Sequence, residues 1–221
     1  MVELWREDAI ERSWRVLGEL RKLVDFVVIG GWGVYFWTMK LKSRDIDIYI
    51  DQDNFYRLHA EALKAGFPIK RNPRLKKFEA LIDGVEIDIY TPFMCNLAIP
   101  CEDVFREKLV SIIEGFGVAT PEALLLLKAQ AAKERWHSEK GVKDRADIIS
   151  LLALADLKFD VLEKLREKYD ADNSLINIVR KTLREGRTEF KLLGLSYERD
   201  GAKLRKVLEK KIKETASSAT P

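Results

Sequence analysis

Between residues 45 and 50 the chain alternates with a period of two, setting Ile46, Ile48 and Ile50 against Asp45, Asp47 and Tyr49. Successive side chains of a strand point to opposite faces, so this pattern predicts a strand with one apolar and one acidic face. Asp45 and Asp47 leave the same face with backbone origins about 6.6 Å apart, and both carboxylates converge on one place. Whatever else the chain builds must include a sheet that buries one side here and presents two acids on the other.

The surroundings supply the rest of such a sheet. Residues 26–29, Phe-Val-Val-Ile, form a short β-rich run closed by Gly30-Gly31, and residues 32–39 are bulky enough for a short buried helix. Leu4, Trp5, Ile10, Trp14, Leu17, Leu20 and Val24 recur at three- and four-residue spacings, which predicts an amphipathic helix before that run. Residues 55–65 read as a helix stopped by Gly66-Phe67-Pro68. Residues 78–82 and 85–91 read as a hairpin on the two-residue turn Asp83-Gly84. In its second arm Glu86, Asp88 and Tyr90 alternate with Val85, Ile87 and Ile89, making another acidic face.

After Pro100 the strand signals fade. From Pro121 onward helical spacing is almost continuous, interrupted at Gly141, residues 170–173, Gly186 and around Gly194. Gly115-Phe116-Gly117 precedes Thr120-Pro121-Glu122, a helix start with threonine as cap and proline in first position, so the boundary falls near residues 115–120. The expected fold class is α/β (α+β): a small mixed sheet flanked by helices over residues 1–118, then an all-helical domain over residues 119–221. Residues 216–221 are small and polar and predict a frayed end.

Composition excludes several classes. At 221 residues with 47% hydrophobic and 34% charged side chains, the chain is an ordered globular protein. Its longest apolar runs, residues 123–127 and 148–155, fall far short of the roughly 20 residues that span a bilayer. Residues 1–8 carry acids where a signal peptide needs a basic start, so a cytoplasmic location is expected. Cys95 and Cys101 with two distant histidines make no zinc set and read as free thiols. A formal charge of +3 leaves any nucleic-acid claim to local patches. The presence of only two glutamines, Gln52 and Gln130, resembles a thermophile's usage.

If the two acidic strands are neighbours, Asp88 lies beside Asp45 and Asp47. Three carboxylates that close raise one another's pKa unless hard cations sit between them, and Mg²⁺ with oxygen ligands answers that need. Two ions about 3.5–4 Å apart clamp both sides of an in-line displacement at phosphorus, so the suggested chemistry is phosphoryl or nucleotidyl transfer. Gly30-Gly31 at a strand end before a helix would let backbone N–H groups approach an anion. Taken separately, a glycine pair is a tight turn and Asp-Ile-Asp a protected strand edge.

Together these residues resemble the nucleotidyltransferases of the DNA polymerase β superfamily. The likeness rests on Ile29-Gly30-Gly31, thirteen residues from Trp32 to Arg44, then Asp45-Ile46-Asp47-Ile48, then Glu86-Ile87-Asp88-Ile89, and it covers roughly residues 25–92. The resemblance implies that Asp45 and Asp47 hold two Mg²⁺ ions, with Mn²⁺ an alternative, and that Asp88 completes one of these sites and helps deprotonate the acceptor hydroxyl. Gly30 and Gly31 would seat the triphosphate of an NTP; glycine at position 31 lacks the serine hydroxyl that many relatives bring to a phosphate. Ser43 and Arg44 either meet phosphate too or form a solvent-facing loop.

In the helical half, Lys128, Arg135 and Lys143-Asp144-Arg145-Ala146-Asp147 look like the Lys…Lys-Asp-x-x-Asp pattern of a branch that includes abortive-infection-type toxin nucleotidyltransferases and small antibiotic-modifying relatives. Lys128 on a helix facing the cleft would neutralise triphosphate charge, with Asp144 and Asp147, one turn apart, orienting it or a sugar hydroxyl, and Lys143 beside them. The other reading is a charged helix start, both acids favouring its positive end.

Two basic stretches remain, residues 70–77 and 203–213, and residues 161–221 hold 15 basic against 10 acidic side chains. Either stretch could hold an RNA backbone or be a solvated face. The expected activity is therefore Mg²⁺-dependent transfer of a nucleoside monophosphate from an NTP to a hydroxyl with release of pyrophosphate. RNA, including a tRNA end, is slightly favoured as acceptor over a protein hydroxyl or a small molecule. A glycosyltransferase also uses Asp-x-Asp with a metal, but only 44 residues precede Asp45 where a nucleotide-sugar domain would stand. The alternative from another class is a non-catalytic nucleotide-binding module, or one component of a toxin–antitoxin pair with a cognate antitoxin-like partner.

Overall fold

A computed structural model describes residues 5–218. Leu4 of the first helical pattern, the first four of the acidic opening residues and positions 219–221 of the expected frayed end lie outside the described residues. Along the sequence the chain divides between Thr120 and Pro121 into two compact units.

The first unit carries α1 (Glu7–Leu23), β1 (Val27–Ile29), α2 (Gly30–Thr38), β2 (Ile46–Tyr49), α3 (Gln52–Ala65), β3 (Lys70–Asn72), β4 (Lys77–Ile82), β5 (Val85–Tyr90), α4 (Cys101–Arg106), β6 (Val110–Ile113) and β7 (Phe116–Ala119). Its seven strands form one mixed sheet in the order β3-β4-β5-β2-β1-β7-β6. β2 runs parallel to β5 and β1 parallel to β7, and the other neighbours are antiparallel. Ile46, Ile48, Ile87 and Ile89 lie on one face and are buried with Leu17 and Leu20 of α1 and Leu58 of α3. That is the apolar half of the period-two pattern doing what alternation demands. Each fully buried aliphatic side chain contributes about 1.5–3 kcal/mol.

Local chemistry sets the element ends. The Asp51 carboxylate accepts a 2.8 Å hydrogen bond from the Asn54 N–H at the start of α3, and Gly66 closes that helix in the left-handed region at φ 77°. Asp83 and Gly84 both have positive φ, 50° and 75°, as a two-residue hairpin turn requires. Trp32 and Phe36 are core residues, as their helical spacing predicts, and the buried Trp32 Nε1 donates to Ser13 Oγ at 2.8 Å, tying α2 to α1.

Three strands escaped the sequence reading. β6 and β7 form a hairpin after Pro100, where strand signals fade, on a turn whose residues Glu114 and Gly115 have φ 50° and 78°. Residues 115–117, read as the start of the domain boundary, complete that turn and begin β7. β3 pairs with β4 through Lys70, Arg71 and Asn72, so the first basic stretch is largely an edge hairpin. The glycine pair lies within the first turn of α2 and not ahead of it.

The second unit consists of α5 (Pro121–Glu134), α6 (Glu139–Leu154), α7 (Phe159–Tyr169), α8 (Ser174–Glu185), α9 (Arg187–Leu192) and α10 (Arg199–Ser218), all helical as expected. α5 is buried almost all round from Ala123 to Leu127 and is the centre of this unit. Gly141 does not interrupt it. This glycine sits in the first turn of α6, where its N–H bonds Ser138 Oγ at 3.0 Å and a Cβ would come within 2.0 Å of the Arg135 carbonyl oxygen. Among the described residues no helix is long and apolar enough to cross a membrane.

Candidate active site

The parallel pairing of β2 with β5 places Asp47 directly beside Asp88, with Ile46 beside Ile87 and Ile48 beside Ile89. Neighbouring strands lie about 4.8 Å apart, and paired residues project to the same side, so the two carboxylates share the face opposite the isoleucines. Asp45, one residue ahead of β2, falls on that face at the level of Glu86. On the other flank Ile29 of β1 pairs with Asp47, and the chain turns at once into α2.

Gly30 has φ 62°, and a Cβ there would lie 2.0 Å from Asp47 Oδ2, 2.6 Å from its Cγ and 2.8 Å from its Cβ. The Asp47 side chain therefore rests on bare backbone, which explains glycine at position 30 twice over, through φ and through space. Gly31 is buried one residue further into α2. Ser43 is buried in the approach to β2. Arg44, in the loop ahead of β2 with its side chain 42% exposed, reaches Asp45 Oδ1 at 3.5 Å and stacks over the Trp5 ring at 4.1 Å.

A partner that sequence reasoning missed is Lys77. Its ammonium lies 2.6 Å from Asp88 Oδ2 and 3.0 Å from Glu79 Oε1, and Glu79 also accepts from Asn72 Nδ2 at 2.9 Å. Burial together with the charge of Asp47 pushes Asp88 up to about 6, against the pull of Lys77. Burial opposes the charge on Lys77, yet its bonds to Asp88 and Glu79 outweigh that and hold its pKa above the ordinary lysine value. Lys77 read only as one charge in a basic stretch. The signal was available in the hairpin: the Asp83-Gly84 turn sets Glu79 opposite Asp88, and Lys77 then lies diagonally across from it.

Among the described residues no group of three His, Cys, Asp or Glu side chains stands assembled as a cation cage. The donor chemistry nevertheless suits a hard cation. Asp45, Asp47 and Asp88 offer carboxylate oxygens on one face, and the Lys77 ammonium pairs with Asp88 there.

The four remaining candidates come together in the second unit. Lys128 of α5 places Nζ 3.0 Å from Asp144 Oδ1 and 2.8 Å from Asp147 Oδ2; Arg135 bonds Asp144 at 2.6 Å and Lys143 bonds Asp147 at 2.6 Å. Lys128, Lys143, Asp144 and Asp147 are all buried. α6 begins at Glu139, so both acids lie beyond its first turn, and the reading of them as a charged helix start is corrected. Burial drives the Lys143 pKa down, only partly offset by Asp147. In the second basic stretch, Lys210 and Lys211 pair with Glu214, while the Lys213 side chain lies outside the described residues.

No family model matches the sequence, and no curated protein does. Solved structures do. JHP933 from Helicobacter pylori aligns over 97% of this chain and 96% of its own at 14% identity and a TM-score of 0.53. A further H. pylori structure, provisionally named a nucleotidyltransferase, aligns over 98% of this chain and 100% of its own at 14% identity and a TM-score of 0.51. ANT(2")-Ia, solved with adenylyl-2"-tobramycin, aligns over 74% of this chain and 96% of its own at 16% identity and a TM-score of 0.50. At these identities the likeness is one of fold. The chain has the α/β nucleotidyltransferase fold, with a mixed seven-stranded sheet and a helical C-terminal region.

Proposed function

We propose that the protein is a metal-dependent nucleotidyltransferase that moves a nucleoside monophosphate from an NTP to an acceptor hydroxyl and releases pyrophosphate. The observation that carries this reading is the pairing of Asp47 with Asp88 across parallel strands, beside Gly30 and two residues beyond the Asp45 that opens the motif. In this reading Asp45, Asp47 and Asp88 would hold Mg²⁺, as two ions, or Mn²⁺ in its place, and the bound metal would neutralise phosphate charge. Gly30 and Gly31 let the triphosphate approach backbone, and Arg44 with Ser43 stands at the entry to β2. Asp88 accepts the proton of the acceptor hydroxyl as its oxygen bonds the α-phosphorus. The bond from that phosphorus to the bridging oxygen breaks, and pyrophosphate leaves with the electron pair.

For Lys128, Lys143, Asp144 and Asp147 a nucleotide role rests on the resemblance, while their burial and mutual pairing support a structural one. The non-catalytic module, or a toxin–antitoxin component with its antitoxin-like partner, would take the lead if Asp88 were remote from β2. Its position beside Asp47 favours transfer.

The test is incubation with each α-labelled NTP, Mg²⁺ and separate pools of RNA, protein and dialysable small molecules, beside Asp45→Ala. Label on one acceptor that the variant fails to produce supports the reading. NTP binding with no transfer to any pool overturns it in favour of the regulatory module.

A further inference from the structure

We infer that the acceptor is a compact, hydroxyl-bearing molecule, uncharged or cationic, seated in a cavity on the open face of β3, β4 and β5. This rests on the nucleotidyltransferase reading and names its second substrate. The cavity measures about 500 Å³ and begins at Asp88, with Phe67, Lys70, Glu79, Leu81 and Glu86 among its walls.

Position is the first argument. β5 flanks β2 on one side, and β1 with the glycine pair flanks it on the other. An in-line displacement needs the entering oxygen and the leaving pyrophosphate on opposite sides of phosphorus. With the triphosphate on the glycine side, the hydroxyl has to arrive from the β5 side, where the cavity lies.

Size and charge then narrow the class. A volume of this order is that of a small-molecule pocket, roughly 300–1,000 Å³, and not of a groove that tracks a polymer. The cavity walls carry three carboxylates, Glu79, Glu86 and Asp88, against Lys70 and Lys77. Lys77 is already held between two of those acids, at 2.6 Å from Asp88 and 3.0 Å from Glu79. Glu79 and Glu86 stand outside the proposed cation site, so a phosphate backbone entering here meets carboxylate oxygens. Such oxygens accept hydrogen bonds from hydroxyl or ammonium groups, as Glu79 does from Lys77. Leu81 is 62% exposed on this face, an apolar surface the sheet core does not use. The slight preference for RNA drawn from residues 70–77 gives way, since the two ends of that stretch, Lys70 and Lys77, are parts of this cavity's wall beside three carboxylates.

The test uses glucose, glucosamine and glucose 6-phosphate, three probes on one sugar ring that differ in charge, read by ¹³C-methyl NMR of Leu81 on the full chain. Saturable shifts are expected with the first two, and binding roughly tenfold weaker with the phosphate. In the labelled-NTP assay, label should pass to the dialysable pool, and Leu81→Trp, which fills the cavity, should abolish that transfer. Ile112→Trp, on the exposed edge strand β6, is the control and should transfer normally. Glucose 6-phosphate binding as tightly as glucosamine, no methyl shift with any probe, or label passing to RNA or protein overturns the inference. Calorimetric Mg²⁺–ATP binding separates the two failures: ATP bound with label on RNA sinks this inference and leaves the nucleotidyltransferase standing, whereas no ATP bound and no label moved sinks the activity itself.

Discussion

Gly30 and Gly66 offer a controlled comparison of what the carboxylate of Asp47 requires. Both have φ in the left-handed region, 62° and 77°. Around Gly66 a Cβ would meet nothing within 4 Å, whereas at Gly30 it would strike Asp47 at 2.0, 2.6 and 2.8 Å. Alanine in that backbone region costs about 1–2 kcal/mol at either place. The collision adds about 1–3 kcal/mol at Gly30 alone, because the Cγ and Cβ of Asp47 are in the way as well as the mobile oxygen. Gly66→Ala should therefore lose about 1–2 kcal/mol and Gly30→Ala about 2–5 kcal/mol. Urea unfolding followed by tryptophan fluorescence suits the measurement, since Trp5, Trp14, Trp32 and Trp37 precede the division at Thr120 and only Trp136 follows it. In an Asp47→Ala background, which removes the two nearest atoms, the excess cost of Gly30→Ala should shrink. Calorimetry should show Mg²⁺–ATP binding lost in Gly30→Ala and kept in Gly66→Ala. Equal destabilisation by the two alanines, or an excess that Asp47→Ala leaves untouched, would refute the claim that Asp47 rests on Gly30.

Other perturbations separate chemistry from stability. Asp47→Asn should abolish nucleotidyl transfer while leaving the urea midpoint within about 0.5 kcal/mol of wild type, and a transfer rate equal to wild type would sink the mechanism. Lys128→Met strands Asp144 and Asp147 without the ammonium between them and should cost about 3–5 kcal/mol by circular dichroism in urea; a loss below about 1 kcal/mol would mean the buried network carries little. Burial alone would raise the pKa of Asp144, but the Lys128 charge and the Arg135 hydrogen bond outweigh it and hold this carboxyl below its ordinary value. The unfolded chain then binds the proton first, so stability is present above about pH 4 and falls as pH drops further, a slope that Arg135→Ala should flatten. Ser13→Ala leaves the buried Trp32 N–H without its 2.8 Å acceptor and should cost about 1–3 kcal/mol in the same unfolding assay.

Local pattern decides which of these features can be read before folding. β2 and the β4–β5 hairpin were legible because alternation and an Asp-Gly turn are properties of neighbouring residues, and the three acids followed from them. β6 and β7 were not. They are four residues each, their turn opens with Glu114 in place of Asn or Asp, and Ile112 is 75% exposed, so the alternation that marks a half-buried strand is weak. β7 gains its support from parallel pairing with β1, a contact no local pattern encodes. The same limit hid the register that matters most. That Asp88 belongs beside Asp47 depends on β5 docking parallel to β2, and Lys77 reaches Asp88 only because β4 carries it there from a stretch that looks like surface charge. Sequence thus marks the acids. Non-local pairing decides what surrounds them, and here it surrounds them with two further carboxylates, a committed lysine and a cavity. A purely local reading takes residues 70–77 as a basic landing strip for a polyanion, while the sheet sets Lys70 and Lys77 into the wall of a cavity that also carries Glu79, Glu86 and Asp88, so acceptor charge is the property on which the two descriptions of this protein part.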